Sequence, residues 1–217
     1  MKLPKVTAAA ALLFSLVASP VQAQAQQSCA AHYLIAVPGG GNTAEGIPDY
    51  VPHGGNVFMT GMLTRLGTGG EIQPLWVSYT STPFATSEYE KSKAGGLKRA
   101  RNTVSRLANA CPNAKFSFTG YSLGADIAAT ITSDIAAGRG PIEPERVSGV
   151  ALFANPHQGG NGAVLSAGTS PHSRGSLGSL PDGYGVLGPR VLEICRGDDL
   201  VCSMPVSYTH LTLPTKA

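Results

Sequence analysis

The sequence predicts a three-layer α/β fold built on one central parallel sheet, and two observations carry that reading. Short apolar runs of strand length alternate with longer runs of helical period, a pattern that gives parallel strands covered by helices on both faces. Between one strand-like run and the next helix-like run lies Gly120-Tyr121-Ser122-Leu123-Gly124, a G-x-S-x-G pentapeptide. That motif has mechanical meaning only on a tight strand-to-helix turn, and both flanks are present.

The elements follow in order. His32 to Val37 (HYLIAV) reads as a first strand running into Pro38-Gly39-Gly40-Gly41-Asn42-Thr43, where glycines permit close backbone approach. Asn56 to Leu66 has a helical face, and Ile72 to Thr80 (IQPLWVSYT) reads as a strand. Ser87 to Ala110 places Tyr89, Ala94, Leu97, Ala100, Val104 and Leu107 three or four residues apart, with lysines and arginines outward, which predicts an amphipathic helix. Lys115 to Thr119 (KFSFT) alternates as a strand should, and Ser122 to Ala137 repeats with helical period. Arg146 to Ala154 and Val191 to Cys195 complete the expected strands. Asn155 to Arg190, rich in Gly, Ser and Pro without a clean period, is expected to be a long surface excursion beside the site.

The pentapeptide carries the chemistry. A serine on so sharp a turn takes strained backbone angles, so small residues are needed two before and two after it, and Gly120 and Gly124 meet that need. The hydroxyl then stands clear of the sheet, and the N–H of Leu123 points where an oxyanion would form. Strand, elbow and helix together are the α/β-hydrolase arrangement in reduced form.

Composition narrows the class. Met1 to Lys5 holds two lysines and Val6 to Ala18 is an apolar run too short to span a bilayer, so residues 1–25 read as a secretory signal peptide, with small residues at Ala23 and Ala25 for cleavage. Roughly 180 residues remain, enough for one domain. The net charge of +3 is spread among acidic residues with no basic run, which argues against a nucleic-acid partner. Four cysteines in an exported chain should be paired. Cys195 and Cys202 bracket a tight local loop, which leaves Cys29 with Cys111; that longer bridge is worth roughly 4 kcal/mol and the short one about 2 to 3 on the chain-entropy model. Neither C-x-x-C spacing nor histidine pairs support a zinc site, and the chemistry calls for no metal or organic cofactor.

A serine nucleophile needs a base, and the base a carboxylate to orient it; in this fold the chain order is Ser, then Asp or Glu, then His. Asp126 and Asp134 follow Ser122 on the elbow helix and are expected to point away from the serine. Asp198 and Asp199 sit in the small cystine loop, whose fixed shape suits an orienting carboxylate, and Asp198 reads as a turn residue beside Gly197.

On these motifs the chain resembles the cutinase-like serine esterases in their bacterial secreted carboxylesterase branch. The likeness covers about Cys29 to Met204. It rests on four cysteines placed for the family's two bridges, the elbow, the stretch Ser133 to Pro141, and Cys195-Arg196-Gly197-Asp198-Asp199-Leu200-Val201-Cys202 as the C-x-x-x-D-L-V-C loop. The resemblance implies Asp199 as triad acid. It also implies a second oxyanion donor from the loop after the first strand, assigned to Gly40. Leu123 departs from the family's common glutamine, and only its backbone N–H is required.

The resemblance places the base C-terminal to that loop, where His210 is the one histidine; His32, His53, His157 and His172 precede the acid and read as loop or surface residues. Pro205 to Thr215 (PVSYTHLTLPT) shows no helical face and looks like translated sequencing-library adapter. We therefore read residues 205–217 as a non-native tail, residues 26–204 as the domain without its C-terminal closing segment, and the base as encoded further along the gene. The expected protein is a monomeric, secreted or envelope-associated serine carboxylesterase acting on lipid or cutin-like esters through an acyl-enzyme. Two alternatives are an acyltransferase or phospholipase of the same fold, and a catalytically silent envelope binding protein on the esterase scaffold.

Overall fold

The computed structural model describes residues 29–82 and 86–204. The leader expected at 1–25 and the tail expected at 205–217, His210 included, lie outside the described residues.

Six strands form one parallel sheet in the order β2-β1-β3-β4-β6-β5: β1 His32–Val37, β2 Ile72–Trp76, β3 Lys115–Tyr121, β4 Val147–Phe153, β5 Val164–Leu165 and β6 Val191–Ile194. Three helices cross over it, α1 Asn56–Gly67, α2 Thr86–Ala110 and α3 Leu123–Ala136. Strand β1 lies centrally because it is apolar on both faces, with Leu34, Ile35, Ala36 and Val37 all buried. β2 ends at Trp76, four residues short of the sequence expectation. Val77 N–H still reaches Ala36 O at 2.9 Å, but the chain then leaves the ladder, and Ser81 bonds instead to Gly41 and Thr43 beyond β1.

Helices α2 and α3 cover one face. Ile127, Ile131 and Ile135 of α3 meet Val104 and Leu107 of α2 and Phe116 and Phe118 of β3 in the main core; each such side chain contributes about 1.5 to 3 kcal/mol when fully buried. Ala94, expected on the inner stripe of α2, is exposed. Gly96 packs inward instead, where a Cβ would come within 2.5 Å of Ile127 Cδ1. On the opposite face α1 packs over β1 and β2 through Val57, Ala36 and Trp76, and a groove lined by Ser117, Thr119, Gly149, Ala151 and Leu192 borders Thr60 and Thr64 of α1.

Both bridges are formed, Cys29–Cys111 and Cys195–Cys202. The first ties the entry to β1 to the end of α2, and the second closes the loop after β6.

Residues 155–190 depart from the expected surface excursion. They include β5 and a 3-10 turn, Gly185–Arg190, and they bury Asn155, Gln158, Asn161, Tyr184 and Leu187. Glu193 on β6 draws the segment inward: its carboxylate accepts from Asn155 Nδ2 at 3.0 Å, Tyr184 Oη at 3.2 Å and Gly159 N at 3.2 Å. Polar side chains that satisfy one another can be buried, as Asn155, Asn161 and Tyr184 are, so a segment with no apolar period still enters the core; the Gln158 amide has no partner among the described residues.

Backbone segments approach one another closely at the elbow. A Cβ on Gly124 would stand 2.1 Å from Val37 O, and one on Gly120 2.2 Å from Gly124 O. Both obstacles are main chain and cannot swing aside. Gly124→Ala is therefore expected to cost at least about 3 kcal/mol, read as a lowered urea midpoint at unchanged slope.

Candidate active site

Ser122 sits between β3 and α3 with φ 54° and ψ −118°. Serine rarely takes a positive φ, and residues so held cluster where the surroundings over-determine them. Here Ser122 N–H donates to Phe153 O at 3.0 Å and its carbonyl accepts from Asp126 N at 3.0 Å, fixing the turn to β4 on one side and to α3 on the other. The serine lines a cleft of about 280 Å3 with Tyr89, Glu90, Pro156, Ser176, Leu177 and Val201. Leu123 buries its side chain in the core, and its amide stands at the N-terminus of α3.

The glycine loop after β1 comes against the elbow, since a Cβ on Gly39 would lie 2.8 Å from Tyr121 O. Within that loop Gly41 N–H is engaged with Ser81 O at 2.9 Å and Asn42 N–H with Gly39 O at 3.1 Å. Among the described residues Gly40 N–H has no acceptor.

Asp199 lies beyond β6 at the same C-terminal edge of the sheet as Ser122. It is half-buried and borders a cleft of about 670 Å3 with Tyr121, Phe153 and Asn56, while Val201, two residues on, lines the serine's own cleft. Its Oδ1 accepts from Val201 N at 2.8 Å and Cys202 N at 3.4 Å, and Oδ2 has no donor among the described residues. Asp198 differs: it is exposed and paired with Arg196 at 2.8 Å.

One cluster runs against the sequence reading. Asp126, expected to point away from the serine, is fully buried and is bonded to the cleft residue Tyr89; His157, expected as a loop or surface histidine, is in a loop but buried. Asp126 Oδ2 accepts from Tyr89 Oη at 2.7 Å, and Oδ1 takes Lys93 Nζ at 2.8 Å and Thr130 Oγ1 at 3.2 Å. His157 Nε2 stands 3.2 Å from Oδ1, out of line for a hydrogen bond, and His157 Nδ1 donates to Gly178 O at 2.8 Å. Burial pushes the Asp126 carboxyl up, yet the contacts with His157 and Lys93 outweigh it and hold it below the usual carboxylate range. Burial, reinforced by Asp126, pushes the Tyr89 phenol well above its ordinary value. The sequence held one signal: an aspartate among the small and apolar residues of the first turns of the elbow helix, four residues after the nucleophile, with Tyr89 and Lys93 four apart on the helix opposite.

Over residues 42–214 the chain matches the Cutinase family model. It belongs to that family. The carboxylesterase Culp6 homolog of Corynebacterium glutamicum is 31% identical over 138 residues, 55% of this chain and 45% of that protein. Carboxylesterase Culp1 of Mycobacterium tuberculosis is 26% identical over 164 residues, 76% and 65% of the two. The chain thus spans about half to two thirds of the length of these curated relatives. A cutinase-like protein from Cryptococcus sp. superposes with a TM-score of 0.59 at 22% identity, over 82% of this chain and 81% of the other, and shares its fold.

The depressed carboxyl of Asp126 has a signed consequence. Unfolded aspartates titrate near about 3.9, so Asp126 contributes stability that is fully present above that value and is lost as pH falls through its lower folded value. Asp126→Asn is expected to lower neutral-pH stability by about 2 kcal/mol and to flatten the acid limb below about pH 4, checked by urea unfolding at pH 7 and pH 3.5.

Proposed function

We propose that the chain is a secreted serine carboxylesterase that hydrolyses lipid or cutin-like esters through an acyl-enzyme on Ser122. The observation that carries the reading is the positive-φ serine, presented at the same sheet edge as a carboxylate held in a disulfide-closed ring. Family membership points the same way, and two disulfides suit an oxidising compartment.

In this reading Ser122 Oγ attacks the ester carbonyl while an imidazole takes its proton. The base is a histidine C-terminal to the cystine loop, outside the described residues. Asp199 holds the imidazole's other N–H through its free Oδ2, and Oδ1 stays fixed by the loop amides. The N–H groups of Leu123 and Gly40 stabilise the tetrahedral oxyanion. Its collapse returns the proton to the leaving alcohol, and water activated by the same base then cleaves the acyl-enzyme. Side chains and backbone amides supply every group the reaction needs.

An alkyl phosphonate should label the full-length gene product once, and Ser122→Ala should abolish the adduct; labelling that survives this change removes the proposal. Asp199→Asn should lower kcat/KM for p-nitrophenyl butyrate about 10³- to 10⁴-fold, while Asp198→Asn leaves it within about twofold.

A further inference from the structure

The cleft beside Ser122 is assembled from segments that the sheet does not order. Only Ser122 stands at the end of a strand. Tyr89 and Glu90 come from α2, Pro156 follows β4, and Ser176 and Leu177 belong to the 155–190 segment. The second group holds together through its own main chain, since Leu177 N–H donates to Pro156 O at 2.8 Å and Ser176 N–H to Val201 O at 2.8 Å. Among the described residues no such bond joins them to Tyr89 across the cleft.

What spans the gap is a buried polar cluster. Tyr89 Oη donates to Asp126 Oδ2, His157 faces Asp126 Oδ1 at 3.2 Å, and the other side of the His157 ring is fixed on Gly178 O. His157 is the peptide neighbour of Pro156, and Gly178 the neighbour of Leu177, so one histidine anchors both lining residues of that wall. Asp126 is itself immobile: it lies one helical turn after Ser122, is 0% exposed, and has its charge countered by Lys93.

We propose that Asp126 and His157 are positioning residues that set the separation between the Tyr89 wall and the Pro156–Leu177 wall, and so determine which acyl chains the Ser122 cleft accepts. The proposal rests on the esterase reading and deepens it. An acyl chain gains most where both walls touch it, and a drift of either wall by about 0.5 to 1 Å forfeits about a quarter to a half of that contact energy. A short acyl group, held near the serine, depends less on the walls than a long one. A buried charge suits this task because an unpaired carboxylate is so costly that the partners cannot part without penalty.

The test uses the full-length gene product and p-nitrophenyl esters of butyrate and decanoate. In Asp126→Asn and His157→Leu, the decanoate-to-butyrate ratio of kcat/KM should fall at least fivefold, with the change carried by KM for decanoate. Hydrogen exchange at Leu177 and Gly178 should quicken at least tenfold in His157→Leu. Folded, active variants whose ratio stays within twofold of wild type overturn the proposal. Should both variants fail to fold, Tyr89→Phe, which deletes one hydroxyl from a half-buried ring, takes their place under the same criterion. A wild type that turns over neither ester removes the esterase reading instead, and unchanged exchange at Gly178 in His157→Leu would then overturn the positioning role by itself.

Discussion

The site depends on one backbone constraint, the positive φ of Ser122. Holding a serine there costs on the order of 1 to 3 kcal/mol, and the strain persists only because leaving it would cost more. Ser122 to Ala129 are all buried in sequence, and β3 runs at the middle of the sheet between β1 and β4. To relax the turn, the chain would have to lift α3 out of the core or break the bond from Ser122 N–H to Phe153 O. Gly120 and Gly124 let the two elements close on each other and on the end of β1. Core packing and presentation of the hydroxyl are therefore a single fact about these five residues.

Two buried carboxylates show how the surroundings decide the consequence of burial. Asp126 and Glu193 are both almost wholly enclosed. Asp126 faces the ammonium of Lys93 and the ring of His157, and its carboxyl is held down despite desolvation. For Glu193 burial wins and pushes the carboxyl up, because its partners, Gly159 N–H, Asn155 and Tyr184, are neutral dipoles. A dipole satisfies the oxygens without supplying the long-range attraction of a cation. Glu193 accordingly anchors a loop to the sheet, whereas Asp126 ties three separate segments to one charged point.

What was legible in the sequence follows from range. Periodicity is a local property, so β1, α1, β3, α3 and β6 could be placed within a residue or two, and the motif around Ser122 needed only its own flanks. Both disulfide partners could also be assigned, because four cysteines with one close pair leave little choice. The Asp126 cluster could not be read this way. Tyr89, Asp126, His157 and Gly178 are brought together by three different crossings of the sheet, and nothing local to Tyr89 on its helix, Asp126 on the elbow helix or His157 and Gly178 in their loop marks them as partners. The same holds for residues 155–190, where apolar pattern was the criterion and burial is achieved through hydrogen bonds among Asn155, Tyr184 and Glu193.

The choice between Asp198 and Asp199 shows what the cystine ring contributes beyond stability. Adjacent residues in an extended loop face opposite ways, so composition alone gives both carboxylates an equal claim. Closing the ring between Cys195 and Cys202 forces a turn in which Asp199 N–H bonds Arg196 O and Ser203 N–H bonds Asp199 O. The turn directs the Asp199 side chain back over the amides of Val201 and Cys202, which fix one oxygen; the other has no donor among the described residues. Asp198 is turned outward to Arg196. A carboxylate held by its own loop's backbone keeps its orientation without help from any distant side chain.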